Sequence, residues 1–130
     1  MLVIVMNFTQ SISTCMRKYV TFSGRAIRSE FWWFYLFTVL VNFAASFVGN
    51  LIFMSTYNIF FIYLSTITSL ILLLPSLAVA VRRLHDVGRS GWWILIAFTV
   101  IGIIPLLIWY VTDTKDEENI YGPNPKTENA

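Results

Sequence analysis

From Phe31 to Val81 the chain runs through 51 consecutive residues without a charged side chain, whereas roughly 20 suffice to cross a hydrocarbon core as a helix. One span would be too long, and three would leave nothing for turns. The pattern therefore predicts two helical spans, residues 31–54 and 59–81, joined by a polar tip at Ser55, Thr56, Tyr57 and Asn58. A second uncharged run, Gly91 to Thr112, follows the basic stretch Arg82 to Ser90 and is again long enough for one crossing. Three spans are expected, the third over 91–112. Ahead of them Phe8, Ile12, Cys15, Met16 and Tyr19 recur at helical spacing, with Gln10, Arg17 and Lys18 off the stripe. That spacing predicts a helix lying either in the membrane surface or against the bundle.

The expected fold class is all-α: a multi-pass transmembrane helical bundle with three spans and an N-terminal interfacial helix. Residues 1–22 form the amphipathic segment, in which Met1 to Met6 is an apolar lead-in without the basic n-region of a cleaved signal. Residues 23–112 form the transmembrane domain. Residues 113–130 form a polar acidic tail whose Gly122, Pro123, Asn124 and Pro125 predict turns and no further element. Pro75 and Pro105 each lack a backbone donor and are expected to kink their spans.

Composition sharpens this picture. Of 130 residues, 57% are hydrophobic and 12% charged, about half the charged share of an ordinary soluble domain. So few charges do not cover the surface of a small soluble globule; a bilayer removes that demand. The single Cys15 excludes a disulfide framework, and with the single His85 it leaves no cluster for a metal. No metal or cofactor is expected.

Basic residues orient the spans. Arg17, Lys18, Arg25 and Arg28 precede the first, while Arg82, Arg83 and Arg89 follow the second. Two crossings put both groups on one side, which the positive-inside rule makes cytoplasmic. The N-terminus is then expected in the cytoplasm. A third crossing would carry the acidic tail outside. Trp32, Trp33, Trp92 and Trp93 would sit at the cytoplasmic interface, and Trp109 and Tyr110 at the far one.

The stretch from Arg82 to Trp93 holds the candidate chemistry. One reading is a charged, well-capped turn: Arg82 and Arg83 stand at i−4 and i−3 from Asp86, Gly88 suits a C-cap and Ser90 an N-cap. The other is an anion site, in which Arg82, Arg83 and Arg89, with Trp92 and Trp93 beside them, bind a lipid phosphate or another phosphorylated ligand at the N-terminus of the third span. Glu30 has no cation at helical spacing on its own segment, so its expected partners are Arg82, Arg83 or Arg89.

The blocks Phe22-Ser23-Gly24-Arg25, Arg28, Glu30-Phe31-Trp32, Arg82-Arg83-Leu84-His85-Asp86, Arg89-Ser90-Gly91-Trp92-Trp93 and Asn119-Ile120-Tyr121-Gly122-Pro123-Asn124-Pro125 occur in that order. Together they resemble the DUF805 family of small bacterial inner-membrane proteins, from about Tyr19 to Pro125. The resemblance implies a multi-pass inner-membrane protein of unestablished activity, with no catalytic or ligand residues to carry over.

The function expected first is non-enzymatic: binding of lipid headgroups, anionic phospholipid in particular, or of a membrane-protein partner or second copy through the cytoplasmic Arg/Trp face. No nucleic-acid partner is expected. A small transporter or channel subunit is the alternative, although the spans hold no ionisable relay. An enzyme acting on lipid-linked substrates with His85 as base comes third. Adjacent residues on a helix point about 100° apart, so Asp86 is poorly placed to orient His85, and no hydrolase, metalloprotease or P-loop signature is present.

Overall fold

The computed structural model describes residues 5–114 and 118–126. Met1 to Ile4, the acidic 115–117 and the terminal 127–130 lie outside them, and with them most of the apolar lead-in. Helix α1, Phe8–Arg17, starts at a reciprocal cap: the Asn7 side chain accepts from Gln10 N at 2.8 Å, and Gln10 Oε1 accepts from Asn7 N at 3.1 Å. Helix α2, Arg28–Thr56, ends at Tyr57 in the left-handed conformation. A short 3-10 helix, Ile59–Tyr63, turns the chain into α3, Leu64–Asp86. These two hydrophobic helices are long and apolar enough to cross a bilayer, spanning about 43 Å and 35 Å at 1.5 Å per residue. Their outer faces expose Phe43, Phe47, Leu51, Leu70 and Ile71, which suits hydrocarbon and not water.

Helix α1 packs on the bundle. Ser11 and Cys15 are buried, Ser11 Oγ donates to Ser29 O at 3.3 Å, and Phe8 meets Trp33 edge-on at 5.8 Å. Just beyond it, Tyr19 OH donates to the carbonyl of Ile71. Ile71 stands four residues before Pro75, so its carbonyl is the one that the missing proline N–H leaves without a helical partner. A tyrosine from outside the helix replaces that bond.

The segment 91–112 differs from its expectation as a third crossing. It folds as a 3-10 helix, Gly91–Phe98, a turn, and α4, Ile103–Val111. Both ends lie at the same end of the bundle: Gly91 follows the end of α3, while Tyr110 O accepts from Arg83 Nε at 3.2 Å and from Trp32 Nε1 at 3.0 Å. Trp109, expected at the far interface, instead meets Trp93 edge-on at 5.7 Å. The physical reason lies in Thr99, Gly102 and Pro105. Thr99 Oγ1 donates to Ile96 O at 2.8 Å and accepts from Gly102 N at 3.0 Å, closing the turn. A Cβ on residue 102 would fall on the Ile96 carbonyl oxygen. Pro105 occupies the first turn of α4, where an N–H has no helical partner, so it permits a new helix start and does not kink an existing one. The two arms reach only about 16 Å and 14 Å, half of a bilayer core.

The tail follows the hairpin back. Residues Glu118–Asn119 (β1) and Gly122–Pro123 (β2) pair antiparallel, a small element where turns alone were expected. It docks on the end of α3 and not on the opposite side of the bundle: Asn119 Nδ2 donates to His85 O at 2.9 Å, and Arg25 Nη1 donates to Gly122 O at 3.1 Å.

Candidate functional site

Five charged side chains converge beneath that hairpin. Arg25 comes from the loop before α2, Glu30 from the first turn of α2, and Arg82, Arg83 and Asp86 from the last two turns of α3; all five are buried. Arg82 Nη1 lies 2.6 Å from Glu30 Oε2, and both side chains are within 2% of full burial. Asp86 is the hub of the rest. Its Oδ1 takes Arg25 Nε at 3.0 Å, and its Oδ2 takes Arg83 Nη1 at 2.5 Å and Thr114 Oγ1 at 2.6 Å. Arg83 Nη1 also donates to Ala26 O at 3.2 Å. Three guanidiniums thus share two carboxylates, and the excess positive charge is spread over backbone carbonyls.

Those carbonyls are supplied by helix ends. Tyr110 O and Val111 O belong to the last turn of α4, whose carbonyls have no helical donors. Arg83 Nε and Trp32 Nε1 take the first, and Arg28 Nη1 takes the second at 3.2 Å. The cations also face the negative end of the α4 dipole. Helix α3 itself closes with Gly88 N on His85 O at 3.0 Å and Arg89 N on Leu84 O at 2.8 Å, Gly88 taking φ +78°. This is the Schellman arrangement, which needs a left-handed residue after the cap. Ser90 Oγ accepts from Trp92 N at 3.4 Å and caps the next helix.

The structure does not bring the predicted headgroup set onto one surface. Arg82 and Arg83 are buried and ion-paired, so a lipid phosphate at the surface cannot reach them. Arg89 joins neither carboxylate; it is exposed, with its guanidinium 4.9 Å from the Trp109 ring centroid. Trp92 and Trp93 are exposed. Of the partners considered for Glu30, Arg82 is the one in contact. Arg82 makes no pair with Asp86, the i+4 residue, while Arg83 does at i+3.

Sequence reasoning missed Arg25 and Thr114. In the sequence Arg25 stands as a topogenic charge and as the end of the Phe22-Ser23-Gly24-Arg25 block, and nothing local ties it to Asp86, 61 residues away. Thr114 depends on the return of the third segment. His85 is placed by others: its Nδ1 lies 2.9 Å from Gly24 O, and its ring stacks on Tyr121 at 4.0 Å. With Asp86 committed to two arginines, no His–Asp relay is assembled. Cys15 is fully buried near Arg82 and Glu30; loss of solvent, and secondarily the Glu30 charge, push its thiol up to about 12. Among the described residues no group of three or more His, Cys, Asp or Glu side chains could hold a metal ion.

The DUF805 family profile, described as a protein of unknown function, matches residues 19–123. The chain belongs to the DUF805 family. The matched stretch runs from the Tyr19 prop to the second strand of the tail hairpin and contains the entire ion cluster; α1 precedes it. This DUF805 chain is 38% identical over 112 residues to the inner membrane protein YhaI of Escherichia coli K12, covering 85% of this chain and 91% of that protein. It is 34% identical over 114 residues to the inner membrane protein YhaH of the same organism, covering 87% and 93%. No solved structure matches. With two crossing-length helices and relatives of this kind, the DUF805 chain is a bacterial inner-membrane protein.

Proposed function

We propose that this is a non-enzymatic membrane protein with two crossings and a re-entrant hairpin, and that it binds anionic phospholipid headgroups through a cytoplasmic Arg/Trp face centred on Arg89. All nine Lys and Arg residues fall outside the two spans and their connecting tip, so the positive-inside rule puts the charged end in the cytoplasm. A hairpin that returns leaves the tail there too. The buried cluster then acts as a staple holding loop, helices and hairpin together, and the exposed cations carry the binding.

The observation behind this reading is the contrast between Arg82 or Arg83, buried and paired, and Arg89, whose exposed guanidinium lies over Trp109, with Trp92, three residues on in the chain, 79% exposed. Arg89 has no carboxylate partner among the described residues. A basic residue at an anionic leaflet contributes about 1 kcal/mol, roughly a fivefold change in occupancy. The test is lipid copurification in mild detergent. Arg89→Gln should cut the preference for phosphatidylglycerol or cardiolipin about fivefold while leaving the fold intact. Unchanged selectivity in the folded variant overturns the binding reading.

A further inference from the structure

Asn42 lies on α2 eleven residues beyond Phe31, about 16 Å along the helix axis and so near the midplane of a hydrocarbon core about 30 Å thick. Its Oδ1 lies 2.6 Å from Thr68 Oγ1 and 3.1 Å from Ser69 Oγ, both on α3. Each hydroxyl also lies 2.9 Å from Ser65 O. A hydroxyl has one proton and cannot serve both acceptors. With the amide oxygen toward α3, the two Nδ2 protons have no partner; with the amide turned over, the hydroxyls accept those protons and Oδ1 is the group without one. In either orientation half of the amide has no partner among the described residues. Asn42 is half-exposed and Ser69 exposed, so this half faces outward at a depth where lipid offers no hydrogen bond.

The same ridge continues at four-residue spacing. Thr38 precedes Asn42, and Ser46 and Asn50 follow it, with Asn50 Nδ2 donating to Ser46 O at 2.9 Å. Leu, Ile and Phe, which make up most of the exposed large hydrophobic residues, are absent from these four positions, of which Thr38, Asn42 and Ser46 are partly buried and Asn50 is exposed.

We propose that the Asn42 ridge of α2 is a homodimer interface, in which Asn42 of one copy, with its amide nitrogen outward, donates to Asn42 of the other, with its amide oxygen outward. The occupant is a second copy because the hydroxyls of Thr68 and Ser69 accept either amide orientation, so the same side chain offers a free donor in one orientation and a free acceptor in the other. Two copies facing each other along this ridge with opposite amide orientations satisfy each other with no third component. Ser46 supplies a small side chain one turn away, which lets the backbones approach.

The test is the association of the full chain reconstituted in phosphatidylcholine vesicles, followed by energy transfer between donor- and acceptor-labelled copies as protein is diluted into lipid. The wild type should dimerise, and Asn42→Leu should weaken dimerisation roughly tenfold, the effect of losing an interhelical hydrogen bond at the bilayer midplane. Continued protection of the Cys15 thiol in Asn42→Leu shows that the protomer is still folded. In a Cys15→Ala background, Ser46→Cys should form an oxidised dimer, whereas Ala44→Cys, about 200° round the helix, should not. A wild type that remains monomeric, an Asn42→Leu variant that dimerises equally well, or cross-linking at residue 44 in preference to 46 overturns the proposal.

Discussion

Removing Glu30 should expose how strongly the buried cluster holds the bundle. Glu30 Oε2 and Arg82 Nη1 are 2.6 Å apart with 2% and 0% of their side chains exposed, so solvent and salt screen the pair little. Arg82 Nε and Nη2 have no hydrogen-bond partner among the described residues. Glu30 is therefore the carboxylate that Arg82 contacts, and Glu30→Leu leaves a guanidinium in the interior with its main compensation gone. Breaking a buried pair in this way costs about 3–5 kcal/mol, whereas replacing both partners with apolar residues is often neutral or better. The cycle Glu30→Leu, Arg82→Met and the double variant should thus give two strongly destabilised single variants. The double variant should be more stable than either, with a coupling of at least about 3 kcal/mol. The assay is SDS-induced unfolding in mixed micelles followed by far-UV circular dichroism. A coupling below about 1 kcal/mol, the level of an exposed surface pair, refutes the argument.

Cys15, raised to about 12 and fully buried, should resist iodoacetamide at pH 8 in the folded protein and react at once in SDS; rapid labelling of the folded state contradicts the packing of α1. Gly102→Val puts a side chain against the Ile96 carbonyl and should cost roughly 1–3 kcal/mol, read in the same unfolding assay; an unchanged midpoint means that the turn is open. Asp113 is held below the usual carboxylate value, first by Lys126 at 2.5 Å and then by Thr114 N, against slight desolvation. Its folded value lies below the unfolded one, so its small stabilisation is present above the ordinary carboxylate pKa and fades as pH falls through the depressed value. An NMR titration should show that lowered midpoint, rising toward normal in Lys126→Ala; an unshifted Asp113 contradicts the pair.

The two long spans were legible because hydrophobic length is a direct requirement of the bilayer, and the 51-residue uncharged run admits only one division. The Glu30 contact with the Arg82 turn was reachable for a related reason: a lone carboxylate at a membrane edge is costly, and few cations were within reach. The third segment was not legible from length. A run of 22 apolar residues serves equally as one crossing or as two half-length arms, and the decision falls to Thr99, Gly102 and Pro105. Once the segment returns, Tyr110 O, Thr114 and the tail hairpin arrive at the cluster, and no local pattern around Asp86 announces them. From sequence alone Arg82 and Arg83 fit either ion pairing or a surface anion site, because their burial depends on that same return.

The most direct test of this architecture is the side of the membrane on which the chain's C-terminal end lies, measured by fusing after Ala130 a reporter that is active only outside the cytoplasm, with a matching fusion in the Ser55 to Asn58 tip. The two-crossing, re-entrant arrangement predicts an active reporter at the tip and an inactive one after Ala130. Activity after Ala130 contradicts it, because a tail outside the cytoplasm cannot place Thr114 against Asp86 or Gly122 against Arg25.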